Sequence, residues 1–113
     1  MSERKEKIQN EILKLAATFL DRESDKTSLI TVTHVDISPD FKNSTIYLSV
    51  LPDNKEEHAL YFAKRKMSDF KQYLKEKMRI KAIPFFDVKI DVGEKNRRRI
   101  EELSHEASAT NLE

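Results

Sequence analysis

The sequence predicts a two-layer α+β sandwich with a three-stranded mixed sheet, in the order α-β-β-α-α-β plus a C-terminal helix. Three segments have the β-branched content or period-two alternation of strands, and four have the three-to-four-residue apolar spacing of amphipathic helices. Because apolar and polar residues alternate in the strands, helices should cover one sheet face and water the other. A chain of 113 residues supplies one core, so we expect a single domain over residues 1–107 and a short flexible tail over 108–113.

The first three elements are a helix and a hairpin. Within residues 5–20, apolar side chains recur every three or four positions, which is typical of one helix face. Residues 29–37 are dense in β-branched side chains and end at the turn formers Ser-Pro-Asp, which indicates a strand. Residues 44–51 alternate, and the short gap before them predicts an antiparallel hairpin.

A long helical pattern follows over residues 55–80, with no proline or glycine to interrupt it. Inside it, Ser68 and Asp69 resemble the capped start of a new helix. We therefore predict two helices that meet at a kink formed by Met67, Ser68 and Asp69, with one bent helix as the alternative.

The last two predicted elements are a strand and a helix. Residues 85–92 alternate as a third strand that Gly93 closes, and residues 94–107 have the spacing of a short amphipathic helix. The helices between the second and third strands permit a parallel pair, which makes the sheet mixed.

Composition excludes several classes of function. With no cysteine there is no disulfide, thiolate metal site or cysteine nucleophile, and one glycine is too few for a phosphate-cradling loop. No apolar run approaches the roughly 20 residues of a membrane span, so we expect a cytoplasmic protein without membrane contact. His34, His58 and His105 lie on separate elements, and no nucleophile, base and orienting group assemble. We predict no enzyme, metal, cofactor or small-molecule substrate, and a monomer.

The informative feature is a basic segment at residues 64–81. It has eight basic and two acidic side chains, a local charge of +6, whereas the rest of the chain has 13 basic and 18 acidic, a charge of −5. On one helix, Lys71, Lys75 and Arg79 would repeat at i, i+4 and i+8 and repel one another, so the face needs a counter-charge, which the phosphate backbone of a polyanion would supply. The predicted RNA-binding residues of this segment are Lys64, Arg65, Lys66, Lys71, Lys75, Lys77, Arg79 and Lys81.

A second cluster, Arg97, Arg98 and Arg99, falls near the start of the last predicted helix, where the macrodipole disfavours cations. We therefore add these three arginines to the RNA-binding set.

The aromatic residues divide into two groups by their predicted position. Phe41 and Tyr47 are within reach of the open sheet face. The aromatic residues assigned to the core are Phe19, Tyr61, Phe62 and Phe70.

The order of elements and several segments resemble the ribosome-binding factor A family over roughly residues 4–105. The segments that carry the likeness are residues 31–41, 44–50, 79–84 and 99–103. The resemblance implies a type II KH-like fold. It also implies binding to ribosomal RNA in the immature small ribosomal subunit, near the decoding region, with a role in ribosome biogenesis, rRNA processing, late maturation and cold adaptation.

Two details relate the chain to that family's pattern. Where the family has an Ala-x-Gly kink between the middle helices, this chain has Lys66-Met67-Ser68, so the kink would rest on capping by Ser68. The acidic residue and the glycine that follow the third strand are matched by Asp91 and Gly93.

Two alternatives remain open from the residues alone. One is a KH-like domain that binds a different RNA, and the other is a protein interaction module, whose binding would depend far less steeply on salt.

Overall fold

The computed structural model describes residues 2–80, 82–97 and 100. The described elements are α1 (Ser2–Glu23), β1 (Leu29–Ile37), β2 (Asn43–Leu51), a 3₁₀ turn (Asp53–Lys55), α2 (Glu56–Arg65), α3 (Met67–Lys77) and β3 (Phe85–Ile90). Residues 92–97 add helical turns after β3. The predicted tail at 108–113, and the domain boundary before it, lie outside the described residues.

The sheet has the order β1-β2-β3. The strand β1 runs antiparallel to β2, with Val35 opposite Ile46, and β2 runs parallel to β3, with Ile46 opposite Val88. The hairpin and the mixed three-stranded sheet that the sequence predicts are therefore confirmed.

Helices cover one face of this sheet. The helix α1 packs on β1 and against α3, while α2 packs on β2 and β3. Three buried rings join the layers, because the Phe70 centroid lies 5.4 Å from that of Phe19 and 5.2 Å from that of Phe86. On the other face His34 is exposed and Tyr47 is half-buried, with their ring centroids 5.7 Å apart. The two-layer sandwich is confirmed.

A β-bulge interrupts β1. The register shifts between Val32 and His34, so the buried positions of the strand are spaced by three residues and then by two. The extra residue, Thr33, donates a hydrogen bond of 2.6 Å from its hydroxyl to a carboxylate oxygen of Asp91, beyond the end of β3. The bulge therefore links the first strand to the segment that follows the last.

The end of β3 differs from the prediction. The strand stops at Ile90, and Val92 and Gly93 are helical, so Gly93 does not close the strand. The reason is local capping, because an Asp91 carboxylate oxygen accepts a hydrogen bond of 2.9 Å from the Glu94 N–H and so starts the helix.

The first helix is also longer than the predicted residues 5–20, since α1 begins at Ser2 and ends at Glu23. None of the helices in the described ranges combines the length and hydropathy that a bilayer crossing requires.

Candidate nucleic-acid interface

The junction between α2 and α3 consists of the single residue Lys66. Its N–H is shared between the carbonyl oxygens of Phe62, at 3.1 Å, and Ala63, at 3.2 Å. Its own carbonyl oxygen accepts a 2.9 Å bond from the Phe70 N–H, the first backbone bond of α3. The bond to Ala63 is of the tighter 3₁₀ type, which breaks the helix without glycine. Two helices rather than one are therefore confirmed, but they meet at Lys66. The predicted kink residues Met67, Ser68 and Asp69 all lie within α3, so the predicted position of the kink is wrong.

The predicted cap of α3 is wrong. The residue at the cap position is Lys66, which makes no side-chain capping bond, and Ser68 and Asp69 already lie within the first turn, exposed to solvent. Met67 instead anchors the turn, because its side chain is buried in the core. The break therefore depends on backbone bonds and on Met67, not on Ser68.

Cations flank the buried seam of α3 on both sides. Lys71 and Lys75 occupy one side, and the Lys71 Nζ lies 5.5 Å from the ring centroid of Phe85 on β3. Lys77 occupies the other side, with its Nζ 5.7 Å from the ring of Tyr73. Within the described residues neither Lys71 nor Lys75 forms an ion pair, so the counter-charge that the sequence argument required is not supplied there.

The C-terminal turn of α2 continues this basic side. The Lys64 Nζ is 3.8 Å from a carboxylate oxygen of Asp87 on β3, and both side chains are about half exposed. An exposed ion pair of this length contributes little and opens readily. We call the set that spans the helix junction the junction surface; its members are Lys64, Arg65, Lys66, Lys71 and Lys75.

Two aromatic rings are exposed beside the junction surface. Tyr61 is 68% exposed and Phe85 is 62% exposed. The Arg65 guanidinium lies 5.6 Å from the Tyr61 ring centroid, so each exposed ring has a cation near its face. The assignment of Tyr61 to the core is wrong, because a position two residues after the buried Ala59 points away from the helix seam.

The other aromatic predictions have mixed outcomes. Phe19 and Phe70 are buried and Phe62 is half-buried against the core, as predicted. Tyr47 lies on the open sheet face, but Phe41 lies in the turn after β1 and lines a cavity on the helix-covered side.

Arg79 is separated from the other cations of its segment. Because α3 ends at Lys77 and Met78 is extended, with φ −119° and ψ 142°, the predicted i, i+4, i+8 repeat of Lys71, Lys75 and Arg79 on one helix is wrong. Met78 is buried even in this extended conformation, which explains why the helical spacing continues past the end of the helix. Lys81 lies outside the described residues.

The predicted arginine cluster is described only at its first residue. Arg97 forms an ion pair with Glu94 one turn earlier, so it has a local structural partner that the sequence argument did not anticipate. Arg98 and Arg99 lie outside the described residues. The same helical turns are held to α2 by Lys95, whose Nζ is 2.9 Å from a carboxylate oxygen of Glu56.

The open sheet face carries carboxylates from two strands, together with the exposed Lys89 of β3. Asp36 and Asp87 point to this face from β1 and β3, and Asp91 lies at its end. The hydrogen bonds from the Thr33 hydroxyl and the Glu94 N–H hold the pKa of Asp91 below its usual value of 3.8, with smaller contributions from His34 and Arg97. The Asp91 carboxylate therefore stays ionised at neutral pH.

Histidines and carboxylates are the side chains from which a metal site could form in the described part of the chain. No three histidine, aspartate or glutamate side chains approach closely enough there to hold a metal ion. His34 and His58 lie on separate elements, as predicted, and His105 is outside the described residues.

The fold and the basic helix pair define a type II KH-like α+β domain, and solved structures share this fold. The crystal structure of ribosome-binding factor A from Thermus thermophilus superposes with a TM-score of 0.70 at 21% identity, over 76% of this chain and 93% of that one. A homology model of the Thermus thermophilus factor, fitted into a cryo-EM map of its complex with the 30S subunit, gives 0.62 at 21% identity, over 70% and 86%. The predicted fold class is confirmed.

Sequence comparison identifies the family. The sequence profile of ribosome-binding factor A matches residues 4–104. Ribosome-binding factor A of Natranaerobius thermophilus is 30% identical over 91 residues, which are 78% of this chain and 70% of that protein. The Staphylococcus saprophyticus protein of the same name is 29% identical over 103 residues, 87% and 89% of the two chains. The chain belongs to the ribosome-binding factor A family, as its sequence motifs indicated.

Proposed function

We propose that this protein binds ribosomal RNA of the immature small ribosomal subunit through the junction surface and acts there as an assembly and maturation factor. One observation carries the proposal. On the side of α3 next to β3, Lys71 and Lys75 lie one helical turn apart, and neither forms an ion pair within the described residues. In this proposal the protein acts in the cytoplasm as a monomer and needs no cofactor.

The junction surface is suited to phosphate contacts. Its cations project from two short helices whose seams are buried, so their spacing is set by the fold rather than by a flexible loop. Each phosphate that a lysine neutralises releases counterions, which gives affinity that does not depend on the base sequence of the RNA. Such contacts position a protein on folded RNA.

The exposed rings add a second kind of contact. Tyr61 with Arg65, and Phe85 with Lys71, each combine an exposed aromatic face with a cation. Unpaired bases stack on such rings, at about 1 to 3 kcal/mol per base. The surface therefore fits a folded RNA in which a loop or bulge lies beside a helical backbone.

Two further observations favour the small subunit as the source of that RNA. The family name describes a ribosome-binding factor, and one structural neighbour is a factor fitted into a complex with the 30S subunit. The chain also has no Gly-x-x-Gly loop for clamping a single strand by close backbone approach. We accordingly expect it to prefer prefolded ribosomal RNA over short single strands, and to leave when the mature subunit rearranges the site.

The experiment compares two RNAs of equal length at several salt concentrations. The full chain is titrated with a transcript of a small-subunit ribosomal RNA domain and with an unrelated structured RNA. Tighter binding to the ribosomal transcript, with a steep salt dependence, is expected. Equal affinity for both RNAs would favour a general KH-like RNA-binding protein, and binding that barely changes with salt would favour a protein interaction module.

A further inference from the structure

A cavity of about 840 Å³, whose lining contains no member of the junction surface, lies on the helix-covered side of the sheet. It is lined by the N-terminal half of α1, by the turn between β1 and β2, and by four described residues between α3 and β3, which are Arg79, Ile80, Ala82 and Pro84. Its volume is within the range of protein sites that accept a side chain or a small ligand. The predicted RNA-binding cations of α2 and α3 do not line it.

The interior of the cavity is lined by hydrocarbon side chains. Ile8 and Ile12 of α1 meet Ile80 and Pro84 from the segment before β3. Among the described residues, the lining side chains other than the charged ones have no hydrogen-bonding group. A nucleobase or a sugar placed here would lose its hydrogen bonds to water, which is costly, whereas an aliphatic or aromatic side chain would lose none. The interior therefore favours a protein group over an RNA group.

The opening of the cavity is cationic. Arg4, Lys5 and Arg79 are the charged residues of the lining, and none of them forms an ion pair with a carboxylate in the described ranges. Three cations that form no ion pair within the described residues, around an apolar interior, attract an anionic partner and orient it at the opening.

The ring of Phe41 lies at this cavity in a strained backbone conformation. Its φ is +60°, in the left-handed region that a bulky side chain rarely adopts. The turn holds it there, because the Phe41 N–H donates to the Ser38 carbonyl at 2.9 Å and the Asp40 carboxylate accepts from the Ser38 hydroxyl at 2.6 Å. Such strain is found most often at binding and catalytic sites.

We propose that this cavity binds an acidic, amphipathic segment of a partner protein. The apolar side chains of that segment insert onto Ile8, Ile12 and Ile80, while its carboxylates pair with Arg4, Lys5 and Arg79. This inference is independent of the RNA proposal, and it gives Arg79 a role at the cavity that is separate from the junction surface.

The experiment uses the full chain and three synthetic fluorescein-labelled peptides of 16 residues. The first is an amphipathic glutamate–leucine helix, the second has serine in place of leucine, and the third has glutamine in place of glutamate. We expect the first peptide to bind at least about tenfold more tightly than either control, because both the apolar group and the carboxylates are needed. Equal binding of the glutamate–leucine and glutamate–serine peptides would overturn the proposal, since charge alone would then explain it.

Three variants locate the site. Arg79→Glu should lower the affinity for the glutamate–leucine peptide by about fivefold to tenfold. Lys14→Glu makes the same change of charge on the exposed side of α1 and should leave that affinity unchanged. Phe41→Asn keeps a residue that tolerates positive φ, so it should keep the thermal unfolding temperature while lowering peptide affinity. Equal losses for Arg79→Glu and Lys14→Glu would refute the location.

The methyl NMR signals of Ile8 and Ile80 provide a direct readout. They should shift on addition of the glutamate–leucine peptide and stay in place with a 12-nucleotide single-stranded RNA. Shifts with the RNA alone would overturn the proposal and assign the cavity to nucleic acid.

Discussion

Neutralising Lys71 and Lys75 together tests the junction surface at the two lysines that form no ion pair in the described residues. Each lysine that contacts one phosphate contributes about 0.7 to 0.9 to the slope of log affinity against log salt, so the double variant to glutamine should lower the slope by about 1.4 to 1.8. Both side chains flank the seam of buried Met67, Phe70 and Leu74 without being part of it, so the substitutions should leave the core intact. When the salt concentration rises from 50 to 200 mM, the affinity of both proteins falls. The factor of this fall should be roughly 7 to 12 times smaller for the variant than for the unchanged protein.

Fluorescence anisotropy with the small-subunit ribosomal RNA transcript, at four or more salt concentrations, measures this slope. The matched control neutralises Lys7 and Lys14, which are exposed on α1 and give the same change in net charge. An unchanged slope for the Lys71 and Lys75 variant would refute the assignment of the interface. An equal fall in the control would show that net charge, not the junction surface, sets the affinity.

Three further predictions concern single features. Tyr61→Ala should weaken binding to an RNA with an unpaired loop by about 1 to 3 kcal/mol and leave binding to a fully paired duplex unchanged, whereas equal losses would exclude stacking. Because the pKa of Asp91 is lowered in the folded protein, its carboxylate stabilises the fold above pH of about 4, and this contribution disappears as the pH falls through the lowered pKa. The difference in denaturant-measured stability between the unchanged protein and Asp91→Ala should therefore be about 1 kcal/mol at neutral pH and shrink in acid; a difference that stays constant with pH would contradict it. Replacing Ser68 and Asp69 with alanine should change stability by less than about 0.5 kcal/mol, since neither caps α3, and a loss near 1 kcal/mol would restore the capping model.

The spacing of apolar residues along the sequence predicts those helices and strands in which the buried residues recur at a regular interval. The alternation of β2, with Ile46, Leu48 and Val50 buried, identifies the strand and its covered face without any other information. The same rule mispredicts the end of α3, because Met78 keeps the helical offset and is buried although its backbone is extended. Burial alone therefore does not reveal where a helix stops.

The break at Lys66 and the bulge at Thr33 have other causes. Lys66 breaks the helix through a backbone N–H shared by two carbonyl groups, an arrangement that no residue type signals. Thr33 is positioned by Asp91, which lies 58 residues later in the chain. Tyr61, in contrast, was readable from the sequence, since the spacing from Ala59 already directs it away from the core.

The cavity depends on non-local packing. Its opening combines Arg4, Lys5 and Arg79 with the turn that carries Phe41, and these come from three distant segments. Only the folded arrangement brings the three segments together, so no local pattern predicts the site.

The central claim, action on immature small subunits, is tested most directly by the sedimentation of a tagged copy of the chain across a ribosome gradient. The account predicts that the protein migrates with free or immature small subunits and is depleted from complete and translating ribosomes. A protein found only at the top of the gradient, or spread evenly over translating ribosomes, would contradict the account.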